Sequence, residues 1–115
     1  MLNRTSKLKI ATVLSGLLAL LFIIMGVPKI MSDERAVEQF SNYEYPLWFM
    51  SLIGVLEVLG GLGLLIPKGR KYANFALIAL MIGALFTHIK ADESSMVGLP
   101  LICIFMLGLV LWLRK

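Results

Sequence analysis

The 115-residue sequence is 59% hydrophobic and 16% charged, and its formal net charge is +4. A soluble domain carries about 25% charged residues, so the composition excludes that class and predicts a single membrane domain, residues 1–115. Four spans of about twenty residues would occupy this length and leave no room for a separate soluble catalytic domain.

Basic residues mark one side of the predicted bundle. Eight of the 11 basic residues stand without acidic neighbours, before the first span, between the second and third spans, and at the C-terminus. They are Arg4, Lys7, Lys9, Lys68, Arg70, Lys71, Arg114 and Lys115. By the positive-inside rule this distribution places both termini in the cytoplasm. Because the charge is a topology signal, no nucleic-acid partner is expected.

The first span is predicted over residues 8–29, with Pro28 and Lys29 at its outer end. Pro28 lacks an amide hydrogen and disfavours helical geometry at Val27, so we expect the helix to kink or end there. Lys29 would then lie at the outer boundary of the membrane, where its ammonium can snorkel outward or turn toward the bundle.

The connection between the first two spans, residues 30–45, predicts a short amphipathic helix. Ser32 or Asp33 can cap this helix, and Val37 and Phe40 follow helical spacing. Such a helix would lie across the outer mouth of the bundle, or it would serve as a docking surface for a protein partner.

The second span, residues 46–66, carries one carboxylate within an apolar run, that of Glu57. At a rise of about 1.5 Å per residue, Glu57 lies about 16 Å from Pro46 and close to the bilayer midplane. An ionised side chain there costs about 2.5 kcal/mol or more, so we expect it to face protein or trapped water. Gly54 and Gly61 share its helix face and predict close packing against a neighbouring backbone.

The third and fourth spans, predicted over residues 72–90 and 96–113, form a second hairpin. Gly83 belongs to a series of small residues that would permit close helix contact. His88 and the adjacent Thr87 fall in the outer third of the membrane, with His88 about 24 Å from the cytoplasmic end of its helix. The predicted fold is therefore an all-α, antiparallel four-helix transmembrane bundle with a short amphipathic outer helix.

Several motifs occur in an order that is typical of one membrane family. They are G-x-x-K at Gly26 to Lys29, Tyr45 followed by Pro46, the run GVLEVLGGLGLLIP at residues 54–67, a basic turn, and A-x-x-T-H at Ala84 to His88. In this order the chain resembles the DoxX-like family, which is related to DoxX, the small subunit of thiosulfate:quinone oxidoreductase. The resemblance covers nearly the whole chain. It implies a four-helix protein of the bacterial inner membrane, with relatives in redox complexes, oxidative-stress defence and, more distantly, cargo binding or assembly.

The polar residues of the outer half define a candidate site. We predict a polar cavity with Glu57 at its floor and Lys29, Thr87 and His88 nearer its mouth. Glu57 is either a proton-carrying or ligand-orienting carboxylate or a structural group, and His88 either exchanges protons or makes an interhelical hydrogen bond. Because depth separates Lys29 from Glu57, a direct pair needs a tilted helix or a bridging water, and snorkelling is favoured. The predicted helix-packing positions are Gly26, Gly54, Gly61 and Gly83.

Three functions are compatible with these residues. The first is an accessory or scaffold subunit of a membrane redox or oxidative-stress system, with a protein partner or as a homo-oligomer. The second is a subunit that binds a quinone or another small apolar molecule, with Glu57 and His88 handling protons and a partner supplying electrons. The third, a small-solute transporter, ranks last because alternating access favours broken helices. We find no self-contained catalytic set, no cofactor motif and no metal-ligand cluster in the sequence, so enzymatic activity is left open.

Overall fold

The computed structural model describes residues 2–115, and this part of the chain is all-helical, with no strand. The helices are α1 (Arg4–Ile30), α2 (Glu34–Asn42), α3 (Leu47–Gly63), α4 (Arg70–Lys90) and α5 (Gly98–Leu113), with a 3-10 turn at Ser94–Met96 before α5. The all-α class predicted from the sequence is therefore confirmed. The short helix expected between the first two long helices is α2.

Four of the helices close into a ring. α1 packs on α3 and α5, and α4 packs on the same two helices from the other side, while α2 lies against α1 and α3. Both chain ends meet at the end of the bundle opposite α2, where the Arg4 guanidinium donates to the carbonyl oxygen of Lys115 at 3.3 Å. At the same end, the Lys7 ammonium lies 5.0 Å from the ring centroid of Trp112.

Three helical segments among residues 2–115 are long and apolar enough to cross a membrane. They are α1, α4 and the segment Ser94–Leu113, which contains α5. α3 has 17 residues. Together with α2, from which it is bent by 117°, it is also long and apolar enough to cross a membrane. The fold therefore offers three candidate spans, or four when α2 and α3 count as one.

Pro28 lies inside α1 and does not end it. The helix runs on to Ile30, where the amide of Met31 still donates to the carbonyl oxygen of Val27 at 3.0 Å. A proline removes a single amide donor, and close to a helix end that loss is tolerated when tertiary contacts hold the turn. The continuation keeps Lys29 in helical geometry, which fixes the direction of its side chain.

α1 and α3 cross with their backbones in contact at two glycines. A Cβ atom placed on Gly26 would lie 2.6 Å from the carbonyl oxygen of Gly54, and one on Gly54 would lie 2.7 Å from that of Gly26. Farther along the same interface, a Cβ on Gly61 would lie 3.0 Å from the carbonyl oxygen of Ala19. Because nothing larger than hydrogen fits at the crossing, these glycines set the distance between the two helices.

Gly83 does not have the packing role that the sequence predicts for it. A Cβ atom on Gly83 would meet no atom within 4 Å. Gly83 lines an open space between α3 and α4, as the alanines of α4 also do. Helical spacing alone cannot tell a glycine that faces such a space from one that packs against a neighbouring helix.

α2 is held at one end of the bundle by a cap and a small apolar contact. The Asp33 carboxylate accepts from the amide of Arg35 at 3.3 Å, which satisfies a free donor of the first turn. Ala36 and Phe40 are buried against Met50 of α3. These contacts position the segment that follows α2, which carries two tyrosines, over the gap between α3 and α4.

Candidate functional site

The centre of the site is a direct ion pair between Lys29 of α1 and Glu57 of α3. Nζ of Lys29 lies 2.6 Å from Oε1 of Glu57 and also donates to the carbonyl oxygen of Met25 at 3.3 Å. The Lys29 side chain is 16% exposed and that of Glu57 only 1%. The sequence favoured snorkelling of Lys29 away from Glu57, and the structure instead turns the ammonium inward.

The direction of the side chains explains how two residues at different depths meet. In any α-helix the Cα–Cβ bonds tilt toward the N-terminus. α1 and α3 run antiparallel, so Lys29 leans toward the end that holds the chain termini while Glu57 leans toward the α2 end. The crossing at Gly26 and Gly54, each one turn before its charged residue, brings the two backbones close enough for contact without a bridging water.

A cavity of about 1040 Å³ lies between α3 and α4, with the Lys29–Glu57 pair in its wall. Its volume is at the upper end of the range of about 300–1,000 Å³ that is usual for small-molecule sites. Thr87 and His88 also line it, so the four polar residues singled out in the sequence face one space. The rest of the lining is mainly aliphatic and aromatic side chains, together with the open Cα surface of Gly83.

Hydrogen bonds close the cavity at the α2 end. Tyr45 and Thr87 share a hydroxyl contact of 3.0 Å, and the Thr87 hydroxyl also reaches the carbonyl oxygen of Gly83 at 2.9 Å. The Tyr43 hydroxyl donates to Oε1 of Glu93 at 2.7 Å. These bonds tie the segment after α2 to α4 and to the turn beyond it, so α2 is fixed over the cavity by side chains of another hairpin.

Glu93 collects two hydrogen bonds at this end of the bundle. Nδ1 of His88 lies 2.9 Å from Oε1 of Glu93, and because a carboxylate only accepts, Nδ1 carries the hydrogen. The bond from His88 first, and then that from Tyr43, lowers the pKa of the Glu93 carboxyl. Burial, and after it the bond to Glu93, raises the pKa of Tyr43 to about 12. Both shifts favour the forms that make this hydrogen bond, the Glu93 anion as acceptor and the neutral Tyr43 hydroxyl as donor.

Tyr43, Tyr45 and Glu93 are site residues that the sequence did not reveal. The two tyrosines have the pattern of residues at a membrane interface, which is the commoner role of such side chains in membrane proteins. Glu93 stands in a polar turn with other charged residues. Its position five residues after His88 could have indicated the contact, because a chain that leaves a helix can fold back onto the last turn of that helix.

Two further buried polar residues lie in the helix interface and were not predicted. The Asn74 amide donates to the carbonyl oxygen of Leu107 at 3.0 Å and so joins α4 to α5. Oδ1 of Asn74 and Oγ of Ser15 are buried without a hydrogen-bond partner among residues 2–115. Polar side chains between apolar helices act as interhelical links. Neither residue lines the cavity.

The fold and the cavity define a small helical membrane protein whose buried ion pair faces an apolar chamber. The sequence model of the DoxX-like family matches residues 13–110, and the chain belongs to this family. The resemblance drawn from the motifs is thus confirmed.

Among curated proteins, the uncharacterized protein YdgD of Bacillus subtilis (strain 168) is similar to this chain. The two are 30% identical over 84 residues, which cover 70% of this chain and 74% of the relative. No solved structure matches the chain. The relative's name states no activity, so the chemistry of the site has to be argued from its own geometry.

Proposed function

We propose that this protein binds a lipid-soluble molecule with one polar head, such as a quinone, in the cavity between α3 and α4. The observation that carries the proposal is an apolar chamber of about 1040 Å³ with a buried Lys29–Glu57 pair in its wall. Ligand sites are commonly apolar with a few converging polar groups that orient the ligand, and this chamber has that composition.

The proposed route of entry is lateral, from the membrane. Leu56 and Leu59 of α3 and Ala76, Ala79 and Gly83 of α4 line the cavity and are exposed on the side of the bundle. In a bilayer this side would meet acyl chains, so an apolar tail could leave the cavity between the two helices without contacting water. Small residues along α4 provide the width that such a tail needs.

The proposed setting is the bacterial cytoplasmic membrane, crossed four times. α3 alone would extend about 26 Å at about 1.5 Å per residue, close to the hydrocarbon thickness of about 30 Å. α2, bent from it by 117°, would then lie along the membrane surface. The end where both termini meet carries the basic segments, which favours the cytoplasmic side for that end.

The proposed role is that of a ligand-holding accessory subunit in a membrane redox or oxidative-stress system. A separate protein would supply or accept the electrons, while this chain would hold the ligand and orient its head. His88 and Glu57 are the groups available to exchange protons with it. The bend between α2 and α3 has no counterpart in the second hairpin, where α4 and α5 are continuous helices, so the paired broken helices used for alternating access are not there to support a transporter.

Filling the cavity at Gly83 is expected to remove the ligand without disturbing the fold. Gly83→Leu adds a side chain where a Cβ would meet no atom within 4 Å, so it should occupy cavity space without a clash. Gly108→Leu is the matched control, because Gly108 is also uncrowded but does not line the cavity. Both variants should purify like the wild type.

Mass spectrometry of the lipid-soluble molecules that co-purify in mild detergent gives the result. A species retained by wild type and Gly108→Leu should fall by about tenfold or more in Gly83→Leu, since displacing three or four methylenes of contact removes about 2–3 kcal/mol. Equal retention by all three proteins would contradict the proposed site. A protein partner recovered in the same native preparation would identify the system that the chain serves.

The proposed orientation has its own test. After Lys115, a reporter that works only in the cytoplasm should be active, and one that works only in the periplasm should be inactive. Between α2 and α3 the two reporters should give the opposite result. Both insertion points lie outside the long helices. A periplasmic C-terminus would contradict the assignment of the basic end to the cytoplasm.

A further inference from the structure

The Lys29–Glu57 pair has hydrogen-bonding capacity left over on the side of the cavity. An ammonium has three donors, and Lys29 uses two of them, on Glu57 and on the carbonyl oxygen of Met25. Oε2 of Glu57 accepts no hydrogen bond from residues 2–115, and this atom is not fully buried. Both side chains line the cavity. The wall thus offers one N–H donor and one carboxylate acceptor side by side.

The charge of the pair restricts what can bind there. Lys29 and Glu57 already neutralise each other, so a cationic head would lie beside an ammonium and an anionic head beside a carboxylate. In a site of low dielectric either arrangement leaves an uncompensated buried charge, which is strongly unfavourable. A neutral head group is therefore the complement of this wall.

A neutral head that satisfies both atoms must donate and accept from nearly the same point. A hydroxyl does so, because its hydrogen can go to Oε2 of Glu57 while its oxygen accepts from Lys29. A quinone carbonyl only accepts; it can pair with Lys29, but it leaves Oε2 of Glu57 unpaired. A buried acceptor without a partner weakens binding by about tenfold or more.

We infer that the cavity selects an amphiphile with a hydroxyl head, and, among quinone-type ligands, the reduced hydroquinone over the oxidised quinone. This inference rests on the proposed ligand site and specifies its chemistry. The apolar tail would follow the small residues of α4, and the hydroxyl would complete the hydrogen bonds of Lys29 and Glu57.

The test uses a matched pair of probes, 4-dodecylphenol and 4-dodecylanisole, on the full-length protein in lipid nanodiscs. The two molecules share the ring and the alkyl chain, and they differ in whether the head oxygen carries a hydrogen. Calorimetric titration should give a dissociation constant about tenfold or more lower for the phenol. Decylubiquinol and decylubiquinone, titrated without oxygen, should differ in the same direction.

A double variant separates the head-group contact from other causes of selectivity. Lys29→Met/Glu57→Met removes both charges together, so the dissociation constants of the phenol and the anisole should become equal. A preference that survives in this variant would overturn the inference, because the selectivity would then arise elsewhere.

The remaining outcomes distinguish the inference from the proposed function. If both probes bind wild type equally and both are lost in Gly83→Leu but kept in Gly108→Leu, the cavity is the ligand site and the hydroxyl selectivity is wrong. If neither probe binds wild type, the inference and the proposed site both fail. A clear preference for the anisole or for the oxidised quinone also overturns the inference.

Discussion

Replacing Lys29 by methionine is expected to lower the free energy of unfolding by about 3–5 kcal/mol, which is the usual effect of removing one partner from a buried ion pair. Glu57 is only 1% exposed and has no other charged partner within hydrogen-bonding distance among residues 2–115. Its carboxylate would therefore be left in an apolar interior without compensation. Most of the expected loss comes from this unpaired charge and not from the net strength of the pair.

The reverse change, Glu57→Met, is expected to cost less. Lys29 lies in the last turn of α1, is partly exposed, and has a long flexible side chain that can extend toward the helix end. Glu57, in the middle of α3, has no comparable route out. The asymmetry between the two single variants is a specific consequence of where the partners lie.

The double variant Lys29→Met/Glu57→Met should recover most of the stability lost in Lys29→Met, because two apolar side chains of similar length replace the pair. Unfolding in mixed micelles with increasing SDS, followed by circular dichroism, would give the three free energies. A double variant as unstable as Lys29→Met would show that the unpaired carboxylate is not the cause.

Gly26→Ala or Gly54→Ala is the second change with a large expected effect. Each added methyl would lie 2.6 or 2.7 Å from a backbone carbonyl oxygen of the facing helix, and backbone cannot move aside as a flexible side chain can. Overpacking of this kind costs about 1–3 kcal/mol. The helices must separate at the crossing, so the contact between Lys29 and Glu57 should lengthen as well.

Gly16→Ala supplies the control in the same helix. A Cβ atom on Gly16 would meet no atom within 4 Å, so the alanine should be neutral or stabilise α1 by up to about 1 kcal/mol. The same SDS unfolding assay compares the three variants. Equal losses at Gly16 and Gly26 would mean that the crossing does not depend on backbone contact, and the explanation given for the position of the pair would fail.

The sequence by itself determined the helical class, the family and the need to shield Glu57. Long apolar runs bounded by basic residues and prolines are local features, and in lipid each run must satisfy its backbone hydrogen bonds internally. The capped, amphipathic segment of α2 is equally local. The cost of a carboxylate in hydrocarbon required that Glu57 turn toward protein, whichever helix its partner came from.

Only the tertiary structure decided which partner Glu57 would have. Counting residues gave the depths of the Cα atoms of Lys29 and Glu57, but the meeting of their charges depends on antiparallel helices whose side chains lean toward each other. The roles of Gly26 and Gly83 likewise look alike in sequence, although one touches a backbone and the other faces a cavity. Helical periodicity tells which residues share a face, and it does not tell which neighbour, if any, that face will meet.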